Sequence, residues 1–266
     1  MINTTINTGG RFANHFFRNL ASHFLAKNND LAFTYSYSQE FFNIGIELYK
    51  DGSKTYNENI LITDENFFDF IKNNTIFNKN IIFSPIMYAQ TKEFSFYIRK
   101  YICEDEQKTK IVEKNLFKQR YNNNNDIFVH VRLGDSVDVN PGYIYYDSVL
   151  KNLTFEKGFI SSDLLTHPLC IALIKKHNLI PFKNTEVKTV MFASTCKHIV
   201  LSNGTFSWLI GLLGFYSNIY FPKIKKIWHG DIFVFPDWNE IDTSNSVSPL
   251  PYEKALRMLK KYGIRV

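Results

Sequence analysis

An apolar run, Ile127-Phe128-Val129-His130-Val131, breaks off at Arg132-Leu133-Gly134-Asp135. It reads as a short buried strand of the parallel-sheet kind, ending in a polar turn. Side chains alternate along a strand, so His130 and Arg132 leave one face at its carboxyl end. In open α/β sheets the ligand crevice lies outside the carboxyl ends of the strands. A guanidinium there offers a planar fork of donors suited to phosphate oxygens. The same arginine could instead pair with Asp135 and close the loop. Both readings fit the local pattern.

Residues 197–208 read KHIVLSNGTFSW. A buried strand ends in Ser202-Asn203-Gly204-Thr205 and enters a helix. Ser202 and Thr205 are small hydroxyl donors, and the first helical N–H groups have no partner of their own. Gly204 lets the backbone approach a ligand closely. Such a helix start can cradle a diphosphate. The simpler reading is an N-cap by Asn203 or Thr205. Two such turns in one half of the chain argue for phosphate more strongly than either alone.

A third stretch lies at the N-terminus. Residues 2–6 read as a strand, Gly9-Gly10 as a turn, and 11–28 as a helix. Phe16, Leu20 and Phe24 form one apolar row, with Phe17, Ala21 and Leu25 beside it. Arg11, Asn14 and Arg18 share another face near the helix start. A strand, glycine turn and helix can meet an anion, or can be only a tight connection. The pattern is not the dinucleotide fingerprint G-x-G-x-x-G.

These stretches must be positioned by the rest of the chain. Its 266 residues suffice for one large or two modest domains. A hydrophobic content of 45% against 21% charged residues implies a globular chain rather than a disordered one. The net charge of +6 comes without a block of like charges, which argues against a nucleic-acid tail. A basic surface equally serves an anionic small molecule. Cys103, Cys170 and Cys196 are odd in number and widely spaced, so free thiols in a reducing compartment are expected. The N-terminus lacks a charged and then apolar leader, and the most apolar window, 208–216, is too short to span a membrane. A cytoplasmic location is therefore expected. The sequons at Asn3, Asn73, Asn152 and Asn203 carry no weight in so Asn-rich a chain.

Strand and helix patterns alternate throughout. Strands are expected at 31–37, 59–63 and 80–83, and helices at 38–50 (capped by Ser38) and from Asp64 to 72. Residues 90–120 read as one long helix or two short ones. The Asn run at 122–125 is the candidate linker. Beyond it come helices at 144–153, 168–177, 188–195, 206–215 and 252–262. Strands are expected at 158–161, 198–202 and 218–221. This alternation predicts an α/β chain of two layers, 1–121 and 122–266, each with a parallel sheet. There is no D-x-D motif, no phosphate-binding P-loop and no His/Cys metal spacing. His15, His23, His167, His177 and His229 are scattered and read as surface or satisfied residues.

Three segments resemble the metal-independent fucosyltransferases that make alpha-1,2 and alpha-1,6 linkages or modify protein serine and threonine. Gly9-Gly10-Arg11-Phe12-Ala13-Asn14-His15-Phe16-Phe17 resembles their G-G-x-x-x-N-Q-x-F stretch. His130-Val131-Arg132-Leu133-Gly134-Asp135 resembles H-x-R-R-G-D. The segment from Cys196 to Trp208 resembles C-K-H-x-I-x-x-N-S-T-F-S-W, and Ser161-Ser162-Asp163 is similar to a strand end reading F-S-D-D. The matches follow the family's order and span most of the chain. Leu133 stands where the motif has a second Arg, and His15 where it has Gln. The membrane anchor of animal members has no counterpart, so the resemblance is to the soluble bacterial or viral type.

The resemblance implies a GT-B architecture, two Rossmann-like domains facing a cleft. It implies an inverting, metal-free transfer of a sugar, usually fucose from GDP-fucose, to a glycan hydroxyl. The donor would lie on the C-terminal side and the acceptor on the N-terminal side. Arg132 would stabilise the departing diphosphate, with Ser202, Asn203, Thr205, Phe206 and Ser207 around the phosphates. His130 and Asp135 would hold the loop. Asn14, with Gly10, Arg11 and Phe12 beside it, would orient the acceptor hydroxyl or a phosphate oxygen. Asp163, after Ser161, is a candidate base if that strand ends in the cleft, or else a nucleoside contact. Because Leu133 removes one cation, another nucleotide sugar, or a sugar- or nucleotide-binding protein without catalysis, are the alternatives.

Overall fold

A computed structural model describes residues 3–6, 9–223 and 230–261. The chain divides into two units. Residues up to Asn115, with 230–234, form the first; the second begins at Leu116 and includes the chain from Phe235 onward. The division falls between Asn115 and Leu116 rather than after residue 121. Residues 116–121 join the second unit because Phe117 packs edge-on to Phe192, Arg120 pairs with Asp126, and Tyr121 meets Ser194; Asn124 Nδ2 also donates to Thr195 O at 2.9 Å. The Asn run is thus stitched into the second unit.

The first unit is built around α1 (Phe12–Asn29), which is buried on nearly every side. Its apolar rows supply the packing, while buried polar residues such as Arg18, Asn19 and Asn29 find hydrogen-bond partners inside. Phe17 and Phe24 meet Phe94, and Phe67 packs edge-on to Phe94 at 5.0 Å between centroids. Arg18 does not share an open polar face with Arg11. It is fully buried and donates to the carbonyls of Ser84 at 3.3 Å and Pro85 at 3.5 Å. Helix α2 (Ser38–Asn43) is shorter than expected, stops before Gly45, and is entered through Tyr37 in a left-handed conformation without a side-chain cap.

Strand β1 (Asn59–Ile62), α3 (Phe67–Lys72) and β2 (Asn80–Phe83) follow. β1 and β2 pair in parallel. Asp64 does not cap α3; it accepts instead from the backbone N–H of Tyr88 and Ala89. The strands expected at 2–6 and 31–37 reduce to single bridges, Thr4 to Thr34 and Leu31 to Lys54. Ile2 lies outside the described residues. Side chains replace the ladder there: Thr5 Oγ1 donates to Asn19 and accepts from Ser36 N. Residues 90–120 form two helices, α4 (Lys92–Cys103) and α5 (Asp105–Lys114), then a 3₁₀ turn, Lys118–Arg120.

The second unit runs β3 (Ile127–Val131), α6 (Tyr143–Lys151), β4 (Gly158–Ser162), α7 (Pro168–His177) and β5 (Ile180–Pro181). Then come α8 (Glu186–Ala193), β6 (His198–Val200), α9 (Thr205–Leu212), β7 (Asn218–Pro222), β8 (Asn239–Ile241) and α10 (Tyr252–Lys261). The expected end of α10 at Tyr262 lies outside the described residues. β5 and β8 were not foreseen: β5 has only two residues and ends in Pro181, which an edge strand tolerates.

All six strands are parallel, in the order β5-β4-β3-β6-β7-β8. Counted within the unit this is 3-2-1-4-5-6, the Rossmann-like order. β3 is central and buried on both faces. Ile127, Val129 and Val131 pack with Tyr145, Val149 and Leu173 of α6 and α7. Phe128 faces the other way, against Phe182 and Phe192. Among the described residues no helix is long and apolar enough to cross a membrane.

Candidate anion-binding crevice

The strand order reverses between β3 and β6. The turn after β3 carries Arg132 and the turn after β6 carries Gly204, so both lie at the carboxyl edge where such sheets open a ligand crevice.

Register brings the first pair of groups together. His130 lies opposite Ser161 and Val131 opposite Ser162, so Arg132 and Asp163 leave the sheet side by side. Arg132 Nη1 donates to Asp163 Oδ2 at 2.5 Å. The backbone N–H of Leu133 donates to Oδ1 of the same carboxylate at 2.9 Å. Gly134, at φ +37°, makes the close approach possible: a Cβ there would stand 2.5 Å from Asp163 Oδ2. The other arm of the guanidinium, Nη2, donates to Asp135. The two carboxylates differ in setting. Asp163 is held by Arg132, Leu133 N and, more weakly, Ser162 Oγ at 3.5 Å, and its side chain is 24% exposed, whereas that of Asp135 is 61% exposed.

Strand alternation fixes the neighbours. Leu133 continues the odd-numbered face of β3 into the core and is fully buried with Val131 and Tyr146. Its side chain faces away from Arg132, so this position offers the crevice no side chain, and its backbone N–H is taken by Asp163. His130, on the even face, is buried with Nδ1 2.6 Å from Ser207 Oγ and its ring edge-on to Phe206. Burial pushes its imidazole down to about 4. Its role is internal.

The second turn divides into buried and open parts. Ser202 and Ser207 are fully buried. Ser202 Oγ accepts from Tyr146 Oη at 2.9 Å, and Ser202 N donates to Ser207 Oγ at 3.1 Å. Their hydroxyls hold the turn from within. Asn203, Gly204, Thr205 and Phe206 are half-exposed. Gly204, at φ +113°, precedes α9 without a side-chain cap, and a Cβ on it would meet nothing within 4 Å. The cap position thus falls on Gly204, which has no side chain, rather than on Asn203 or Thr205. Asn203 Nδ2 reaches Val139 O at 3.4 Å instead. Beside it is a cavity of about 80 Å³ bordered by Asp138, Asn140, Lys223 and Ser246.

Asn140 and Tyr146 were missed in the sequence. Asn140 Nδ2 donates to Arg132 O at 2.6 Å, and Tyr146 connects Asn140 to Ser202. The available signal was Tyr146 itself, since a buried phenol needs a hydrogen-bond partner.

In the first unit, Gly10 turns the chain against Asn14, which is half-buried and accepts from Gln90 Nε2 at 3.2 Å. Arg11 is exposed. Phe12 is core, stacked on Phe41 at 4.9 Å, and presents no side chain for a ligand. Of the histidines, His15, His23 and His167 are buried, His177 pairs with Asp147, and His229 lies outside the described residues. No group of three or more metal-ligating side chains stands together among the described residues.

Compared with known proteins, the chain matches no family model, no curated protein and no solved structure.

Proposed function

We propose that the chain is an inverting glycosyltransferase that holds a nucleoside diphosphate sugar at the carboxyl edge of β3 and β6. GDP-fucose is the donor its motif resemblance favours, and a glycan hydroxyl the acceptor. One observation carries the reading: the Arg132 fork and the open, uncapped start of α9 follow neighbouring strands at the point where strand order reverses.

In this reading the acceptor oxygen attacks the anomeric carbon. The bond from that carbon to the diphosphate oxygen breaks, and its electron pair stays on the diphosphate. Arg132 and the first amides of α9 meet that charge, stabilising the transition state more than the bound donor. The acceptor proton leaves to solvent or a base. Asp163 is assigned to holding Arg132 rather than to taking the proton, because its ion pair with the guanidinium and the Leu133 N–H both favour its ionised form. Protein groups carry the charge stabilisation, so the reading needs no metal. The free thiols fit a reducing compartment, taken as the cytoplasm.

A second reading, a sugar- or nucleotide-binding protein without catalysis, is favoured by the two carboxylates that occupy Arg132. Release of GDP from GDP-fucose, with and without a panel of oligosaccharides, separates the two. A transferase releases GDP, faster with its acceptor. A binder takes up GDP-fucose and leaves it intact.

A further inference from the structure

We infer that Asn140 and Tyr146 are positioning residues that set the spacing between the Arg132 turn and the Gly204 turn; this rests on the diphosphate reading above. The two turns share no strand residue, yet a closed ring of hydrogen bonds ties them. Asn140 Nδ2 donates to Arg132 O and to Tyr146 Oη, at 2.6 and 3.2 Å. Asn140 Oδ1 accepts from Gly142 N at 2.8 Å, which fixes the amide's orientation. Tyr146 Oη donates to Ser202 Oγ, Ser202 N to Ser207 Oγ, and Ser207 Oγ meets His130 Nδ1. His130 leads back along β3 to Arg132.

Every side chain in the ring is at least nine-tenths buried. Burial pushes the Tyr146 phenol up, so it keeps its proton and donates. A bond of this ring lost in the interior leaves partners unsatisfied, which transmits a local change to both turns. The ring touches no ligand group itself. It acts through the carbonyl of Arg132 and the backbone of Ser202.

Tyr145 supplies a matched control. It is equally buried and donates to Leu201 O at 2.8 Å. Its Oη also reaches Tyr220 O at 3.3 Å, and Tyr220 O keeps its bond from Leu201 N without the phenol.

The test is GDP affinity by calorimetry, beside melting temperature, for wild type, Tyr146→Phe, Tyr145→Phe, Arg132→Ala and Arg132→Ala with Tyr146→Phe. The expected result is about tenfold weaker GDP binding in Tyr146→Phe, as for one buried hydrogen bond lost. Tyr145→Phe stays within about twofold of wild type at a similar loss of melting temperature. In the Arg132→Ala background Tyr146→Phe costs clearly less affinity than in wild type, because only the Gly204 turn is left for it to act on. Wild-type affinity in Tyr146→Phe, or an equal loss in both arginine backgrounds, overturns the inference. Wild type that binds no GDP, UDP or ADP overturns the diphosphate reading and this inference with it.

Discussion

The carboxylate of Asp163 accepts from both the side chain of Arg132 and the backbone N–H that follows it. The guanidinium is therefore anchored on one arm before any ligand arrives. Only the arm on Asp135 lies at an exposed carboxylate. A phosphate would replace Asp135 and leave Asp163 in place. Asp135→Asn should thus keep or improve GDP affinity, because it removes a competing charge. Asp163→Asn should weaken it by about tenfold or more, through loss of one charge-assisted bond. Titration of both variants checks the order; equal effects would mean that the two carboxylates are interchangeable.

Arg132→Ala should lower transfer by roughly two to three orders of magnitude, as when one preorganised donor to a developing oxyanion is removed. Arg132→Lys should recover little, because an ammonium cannot hold Asp163 and a phosphate on two fixed arms. Steady-state rates on purified, folded variants decide this. Near-normal turnover in Arg132→Lys would remove the fork from the account.

Leu133→Arg restores the motif residue but not a crevice cation. The position is fully buried among Val131, Tyr145 and Tyr146. A guanidinium there must enter an apolar cluster, and the change should cost about 3 kcal/mol or more. Denaturant unfolding should show the loss with no gain in GDP affinity.

Stability should fall as the pH drops from about 6.5 to about 4, the values between which burial depresses both His23 and His130. Above that window each imidazole is neutral in both states. Within it the unfolded chain takes up protons that the folded chain refuses. Each histidine contributes a loss of up to about 3 kcal/mol across the window. His23 accepts from Tyr49 N through Nδ1 at 2.9 Å, so His23→Asn tests one share. Its midpoint should depend less steeply on pH than that of wild type.

Where punctuation was strong, the sequence located elements to the residue. β2 ends before Pro85, and α7 begins with Pro168 in its first turn. The two chemical turns were legible because apolar strands ran into Gly, Asp, Ser and Thr. Three features were not. The Asn run looks like a solvated linker until Asn124 is seen bonded to Thr195, far along the chain. Ser202 and Ser207 look like phosphate donors until Tyr146 and His130 are seen to use them. Arg18 reads as part of a polar helix face, yet the carbonyls of Ser84 and Pro85 hold it inside. Each miss depends on a partner distant in sequence, which local pattern does not encode. Leu133 belongs with these: read in the sequence as a lost crevice cation, it is instead a fully buried core residue beside Val131.

The central claim is that Arg132 and the start of α9 hold a nucleoside diphosphate. Its most direct test is the melting temperature of wild type and Arg132→Ala with and without GDP. A ligand at 100 times its dissociation constant stabilises by about 2.7 kcal/mol, which for a chain of this size is a rise of roughly 5–10 °C. Wild type should show that rise in excess chelator, and Arg132→Ala should show little at the same concentration. An equal rise in both, or none in wild type with GDP, UDP or ADP, would contradict the claim.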